Sequence, residues 1–245
     1  MKYKCLIIDH DDTVVNSTAT IHYPCFIQYL TERLPELADK YTLSDYFRKN
    51  FDPGVVEFFR DEIGLSAEEM AEEEKYWADY VENHIPEAYP GMKKILRKFK
   101  REGGFIAVCS HSYKKYIKRD YLTNKLPRPN VIYGWDLSPE KRKPSPYCVL
   151  YTMQKYGFSR EEILVLDDLK PGFEMARVCG VDFAAAGWAY DVPEIENYMR
   201  MHGNYYLKTV DELEELLFGV NPKKRKKKRA PKNDSESNTQ KAEKD

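Results

Sequence analysis

Five short apolar runs constrain this 245-residue chain more than any other feature: KCLIID (4–9), GFIAVCS (104–110), NVIYG (130–134), EILVLDD (162–168) and VDFAAAG (181–187). None alternates apolar with polar residues, so none suits a strand with one wet face. Such runs fit strands buried on both sides of a parallel sheet. Parallel neighbours need crossovers, and segments with helical patterning lie between the runs at 91–102, 145–157 and 171–180. The last is closed by Gly180, in a position suited to a helix C-cap. Strand and helix in alternation give an α/β fold, a mostly parallel sheet flanked by helices with right-handed connections.

The alternation fails between about residues 17 and 88, where the patterning is helical throughout. In LSAEEM, Ser66 and Glu69 have capping-box spacing, and Leu65 with Met70 supplies the matching hydrophobic staple. A helix is expected from there to about His84. An all-helical insertion directly after the first strand reads as a second small domain. The expected division is therefore a core of residues 1–16 and 89–219, a helical domain of residues 17–88 over the sheet's carboxyl edge, and a tail of residues 220–245.

Charge separates the tail from the body. Residues 221–245 hold 10 Lys or Arg against 4 Asp or Glu, leaving 29 against 36 in the remainder. With no aromatic residue and no apolar period the tail is expected to be disordered. Its run from Lys223 to Arg229 offers a weak contact to nucleic acid or an anionic surface, although a solvated extension is the commoner role of such runs. Met1-Lys2-Tyr3-Lys4 leads into only four apolar residues, far short of the roughly 20 that cross a bilayer, so no membrane attachment and a cytoplasmic location are expected. Five scattered cysteines without a CxxC pair read as buried thiols in a reducing compartment.

Polar residues gather where the strands end. Asp9 closes the first run and Asp11 follows two residues on; Ser110 closes the second, and Asp167 with Asp168 closes the fourth. Parallel strands bring those ends to one edge, so these residues are expected to share a crevice. Four converging carboxylates repel unless a cation sits among them. Oxygen donors without clustered His or Cys favour a hard ion, and magnesium (Mg2+) is the usual partner when a phosphate is the other ligand.

These residues carry a resemblance. DHDDTVVNS resembles the DxDxT motif of the haloacid dehalogenase (HAD) superfamily, and FIAVCS its apolar strand ending in Ser or Thr. KRKPSP, at Lys143, resembles the family's Lys-Pro motif, and ILVLDDLKPGFEMARVCG its acidic pair. The four stand in the family's order across residues 4–190. The resemblance implies a Rossmann-like HAD core, with the helical insertion as a C1-type cap like that of phosphoglycolate phosphatase and β-phosphoglucomutase. It implies a Mg2+-dependent phosphatase acting on a small phosphorylated metabolite through an aspartyl-phosphate. Asp9 would be the nucleophile and Asp11 the acid and base. Asp9, the Asp11 carbonyl and Asp168 would hold the metal, with Asp167 as a ligand or support. Lys143 and Ser110 would hold phosphate, and Thr13 would brace the loop. His111 is a further candidate for substrate contact.

Two positions depart from the family pattern. Asp12 stands where glycine is usual, and His10 where an apolar or aromatic residue is; His10 is expected to point away from the nucleophile. In mutase members a His of the first cap helix assists the chemistry. His22 lies one residue late for that role, and one residue turns a helical side chain by about 100°, which favours hydrolysis over phosphoryl transfer. Alternatives are therefore a β-phosphoglucomutase-like enzyme and a non-catalytic phosphate- or RNA-binding module. The insertion's many aromatic residues, among them Phe26, Tyr46, Phe58 and Trp77, are expected to be core rather than pocket, and the pattern names no particular ester.

Overall fold

Parallel pairing sets the position of everything that matters in this chain. The computed structural model describes residues 1–219; the tail, and with it the contact expected of Lys223 to Arg229, lies outside the described residues. From the N-terminus, β1 (Cys5–Ile8) leads into α1 (Tyr23–Arg33), α2 (Leu43–Phe51), the short α3 (Val55–Glu57) and α4 (Ala67–Glu82). The chain then alternates: α5 (Met92–Arg101), β2 (Phe105–Cys109), α6 (Lys114–Thr123), β3 (Val131–Tyr133), α7 (Tyr147–Tyr156) and β4 (Ile163–Asp167). It ends with α8 (Lys170–Cys179), β5 (Asp182–Ala186), α9 (Pro193–His202), β6 (Tyr205–Leu207) and α10 (Val210–Phe218).

All six strands are parallel, in the order β3-β2-β1-β4-β5-β6. The central strand β1 pairs Ile8 with Val108 on one side and with Leu166 on the other. The register therefore puts Asp9 level with Cys109 and Asp167, one residue past those pairs. The first five strands fall on the five apolar runs. β6 escaped the sequence reading because Tyr205–Leu207 lacks the β-branched residues that mark the equally short Val131–Tyr133 of β3.

The unalternating runs are explained by apolar packing on both faces. Leu6 and Ile8 pack with Ile95, Leu96 and Phe99 of α5 and Leu213 and Leu217 of α10. Cys5 and Ile7 face Cys148 and Val149 of α7, Met175 and Ala176 of α8, and Ile195 of α9. All five cysteines are free and buried. Among the described residues no helix is long and apolar enough to cross a membrane.

The segment between β1 and β2 has an apolar cluster of its own, built on Phe26, Tyr29, Leu30, Tyr46, Phe58 and Phe59. Its longest helix, α4, opens with the expected capping box: the Glu69 amide donates to Ser66 Oγ at 3.3 Å, and the Ser66 amide to Glu69 Oε2 at 2.8 Å. Leu65 and Met70 join the same cluster as the staple requires. Two crossings tie the insert to the core. The Asn16 amide donates to the Glu87 carbonyl and the Tyr89 amide to the Val14 carbonyl, around an antiparallel Val15–Ala88 bridge.

Removing the Ser66 hydroxyl leaves one donor at the start of α4 unsatisfied. Ser66→Ala is expected to cost about 1 kcal/mol, read as a lower urea midpoint at unchanged m, with Ser66→Asp recovering most of that stability.

Candidate active site

At the carboxyl edge of the sheet, Lys143 is the buried cation around which the carboxylates are arranged. Its ammonium lies 2.8 Å from Asp9 Oδ1 and 2.6 Å from Asp167 Oδ2, with all three side chains almost wholly buried. A buried ion group persists only when its charges are closely paired and hydrogen-bonded. Here the pairing joins the ends of β1 and β4 through a loop more than 130 residues from Asp9. Burial alone would lower the Lys143 pKa, but Asp167 and Asp9 outweigh it and hold the amine firmly charged.

The start of α8 fixes Asp167. The Leu169 amide donates to its Oδ1 at 2.9 Å, and a Cβ on Gly172 would fall 2.2 Å from its Oδ2. Glycine at 172 is what lets the helix approach the carboxylate. Asp168 accepts from Thr13 Oγ1 at 3.1 Å, and Tyr190 donates to its carbonyl at 2.5 Å. Asp9, Asp167 and Asp168 each bring a carboxylate oxygen within 4.8 Å of the others. That all-oxygen, buried donor set fits a hard divalent cation such as Mg2+. The excess charge supports the same conclusion. Burial pushes the Asp9 carboxyl up to about 7, with Lys143 opposing and Asp167 and Asp11 adding to the rise. Burial and then Asp12, Asp167 and Asp9 push Asp168 well above the ordinary range.

Asp11 is held apart from this group. His22 Nε2 lies 3.2 Å from its Oδ1, and Ser112 Oγ donates to its Oδ2 at 2.5 Å. Trp77 of α4 donates its indole N–H to His22 Nδ1 at 3.1 Å. An indole N–H can only donate, so Nδ1 accepts and the proton sits on Nε2, facing Asp11. Burial alone would raise the Asp11 pKa. The hydrogen bond from His22, the charge of His10 and the bond from Ser112 hold it well below the usual carboxylate range.

His22 reaches Asp11 despite its one-residue offset, contrary to the expectation from helical geometry. Residues Thr18–His22 form a π-helical turn, with the His22 amide bonded to the Ser17 carbonyl. The wider turn absorbs one extra residue and returns the imidazole to the face that an α-helix would have turned away.

Ser110 Oγ accepts from the Ser112 amide at 3.1 Å and lies 3.5 Å from Asp11 Oδ2. His111 Nε2 donates to the Lys143 carbonyl at 3.1 Å, so its ring supports the lysine's backbone. Asp12 adopts the left-handed conformation, φ 54°, that glycine favours, and its Oδ1 accepts from the Thr18 amide at 3.0 Å. Asp tolerates that region better than most residues, and the hydrogen bond helps to offset the strain. The structure thus brings together Asp9, Asp11, Thr13, Ser110, Lys143, Asp167 and Asp168. Sequence reasoning missed Ser112 and Trp77. For Ser112 the only local signal was its place two residues beyond Ser110; Trp77 was one of many aromatic residues in the insert.

A carboxyl whose folded pKa is raised favours the protonated folded state. The stability it contributes is full below its ordinary pKa and is lost as pH rises through the folded one. Asp9 at about 7, Asp12 at about 6 and Asp168 all act in this sense, whereas Asp11 acts oppositely and only at more acid pH. Metal-free protein in chelator is therefore expected to lose thermal stability as pH rises from about 5 to 7, and Asp9→Asn to flatten that slope. A wild-type melting temperature that climbs across this window would contradict the crowding of these carboxylates.

Known proteins share this architecture. The family model for haloacid dehalogenase-like hydrolases matches residues 6–186. Phosphoglycolate phosphatase 1 of Pseudomonas aeruginosa is 29% identical over 114 residues, 46% of this chain and 42% of that protein. The chain therefore spans less than half the length of that relative. Phosphoglycolate phosphatase of Aquifex aeolicus is 27% identical over 192 residues, 76% of this chain and 86% of that protein. A haloacid dehalogenase-like hydrolase from Streptococcus pneumoniae superposes with a TM-score of 0.67 at 16% identity, covering 88% of this chain and 99% of the other. The family match spans the sheet from β1 to β5 together with the insert and the carboxylates just described, and on that ground the chain belongs to the haloacid dehalogenase-like hydrolases.

Proposed function

We propose that the protein is a Mg2+-dependent phosphatase that hydrolyses a small phosphate monoester through an aspartyl-phosphate on Asp9. The observation that carries this reading is the division of the carboxylates. Asp9 is locked to Lys143 beside a metal-suited acidic pair, while Asp11 is held separately as an anion by His22 and Ser112.

Lys143 holds Asp9 Oδ1. An Asp9 carboxylate oxygen attacks phosphorus as the ester P–O bond breaks, and Asp11, once it has taken the proton of the entering monoanionic phosphate ester, gives that proton to the leaving oxygen. In the second half Asp11 takes a proton from water, whose oxygen displaces Asp9 from phosphorus. Splitting one displacement into two is the usual gain from a nucleophilic side chain. Mg2+ bound by Asp9, Asp168 and the Asp11 carbonyl, with Asp167 as ligand or support, would neutralise the phosphate's charge. Lys143 shares that work, and Ser110 with adjacent amides binds a phosphate oxygen. Thr13 braces Asp168 and His111 braces the Lys143 loop. The insert of residues 17–88 acts as a cap, since His22 and Trp77 carry it to the acid and would exclude bulk water. The names of the Pseudomonas and Aquifex relatives make phosphoglycolate the first ester to assay, ahead of sugar phosphates and nucleotides.

A phosphomutase-like reading draws support from one observation, the His22–Asp11 contact. Product analysis separates the two: hydrolysis releases inorganic phosphate, whereas a mutase returns phosphate to a sugar hydroxyl.

Wild-type protein is expected to hydrolyse p-nitrophenyl phosphate only with Mg2+ present, and Asp9→Asn to lower kcat at least about 10³-fold. No Mg2+-dependent turnover on this ester or on a panel of small monoesters would overturn the reading. Asp11→Asn is expected to cost about 10² to 10⁴-fold on alkyl phosphates, and much less on p-nitrophenyl phosphate in the first half-reaction, because that leaving group needs no proton. Burst kinetics with the two ester types measure this difference.

A further inference from the structure

The loop that carries Asp9 and Asp11 also carries His10, which the proposed chemistry does not use. His10 is 1% exposed, stacks on Tyr121 with ring centroids 5.8 Å apart, and lies 3.0 Å through Nε2 from Asp120 Oδ2 on α6. Its carbonyl accepts from the amides of Val14 and Val15, closing the turn that follows the nucleophile. The ring and the turn therefore move together.

The connection continues outward. Asp120 Oδ1 accepts from Arg119 Nε at 2.9 Å. The same guanidinium donates from Nη1 to the carbonyls of Val81, at 2.7 Å, and Glu82, at 3.0 Å, and from Nη2 to that of His84, at 3.1 Å. Val81 and Glu82 are the last residues of α4, where a cation is favoured; the Val81 carbonyl also accepts from the His84 amide at 3.2 Å. Arg119 thus grips the insert's longest helix at its carboxyl end, just before the chain returns to the core. One turn along α6, Asn124 donates to the Pro86 carbonyl and accepts from the Ala88 amide, holding the crossing itself. At the other crossing Asp12 accepts from the Thr18 amide. His10 and Asp12, the side chains alternating with Asp9 and Asp11, each lead to one of the insert's two attachments.

We propose that Arg119, Asp120 and His10 form a positioning relay, through which docking of the insert's α4 on α6 sets the conformation of the loop bearing Asp9 and Asp11. The bonds are charge-assisted and the inner pair is buried, so the relay is stiff and transmits displacement rather than absorbing it. None of the three residues touches the reacting atoms; each acts through the loop. The kinetic part of the test rests on the phosphatase reading, whereas the structural part does not.

Arg119→Met keeps the stem and removes the donors; Arg119→Lys restores the charge without the fork. His10→Phe keeps a ring against Tyr121 and removes the bond to Asp120. In the free enzyme, hydrogen exchange at the amides of residues 10–15 is expected to rise in Arg119→Met and to be partly restored in Arg119→Lys. With p-nitrophenyl phosphate, Arg119→Met and His10→Phe are each expected to lower kcat by about 10- to 100-fold, the scale of a small misplacement of reacting groups, with KM nearly unchanged. The double variant is expected to be no slower than the slower single one, since both break the same relay. Exchange altered only at residues 81–88, or single effects that multiply in the double variant, would overturn the proposal. Should His10→Phe fail to fold, the exchange comparison of the two Arg119 variants decides, because that side chain lies at the partly exposed end. A wild type without phosphatase turnover would remove the catalytic reading and leave the exchange result to stand or fall by itself.

Discussion

The buried ammonium of Lys143 between Asp9 and Asp167 is the interaction on which the rest depends. Three charges removed from water are tolerable only if their geometry is fixed before any ligand arrives. The fold fixes it with rigid parts: β1 and β4 are adjacent and in register, and α8 comes close enough, through Gly172, to clamp Asp167. The cation does not balance the charge completely, because Asp168 and Asp12 are also buried nearby. That imbalance suits the edge to the proposed divalent cation rather than to a passive ion cluster.

The same crowding accounts for the separation of Asp9 from Asp11. Two neighbouring carboxylates with one environment would titrate together and could not act as nucleophile and acid. Extended backbone sends their side chains in one general direction, but their partners differ in kind. Asp9 meets a lysine from the core, whereas Asp11 meets an imidazole and an indole from the insert. The helical segment is thus part of the environment of Asp11, and its two attachments are reached from His10 and Asp12, the residues that follow Asp9 and Asp11. A chain that spells DHDD where its family usually has an apolar residue and a glycine gains two anchors for that segment.

Much of this was legible locally. Unalternating apolar runs announced the parallel sheet, because burial on both faces leaves no polar side to display. Ser66 and Glu69 announced α4, since a capping box satisfies the donors of its own first turn. The five strand-end residues were readable because parallel pairing sends successive carboxyl ends to one edge. β6 was not, because its three residues include none of the β-branched side chains that mark β3. The reach of His22 was misjudged because local sequence does not distinguish a π-turn from an α-helix, and the turn shifts a side chain by one position.

The sequence by itself determined which residues could do chemistry: the order of the motifs, the carboxylates at the strand ends and the lysine that matches them. Tertiary structure alone decided which partner each would have. Ser112 on Asp11, Trp77 on His22 and Asp120 on His10 join residues 55 to 110 positions apart. Hydrogen bonds between side chains at such separations depend on how whole elements dock, and docking is set by packing across the molecule rather than by any local pattern of residues.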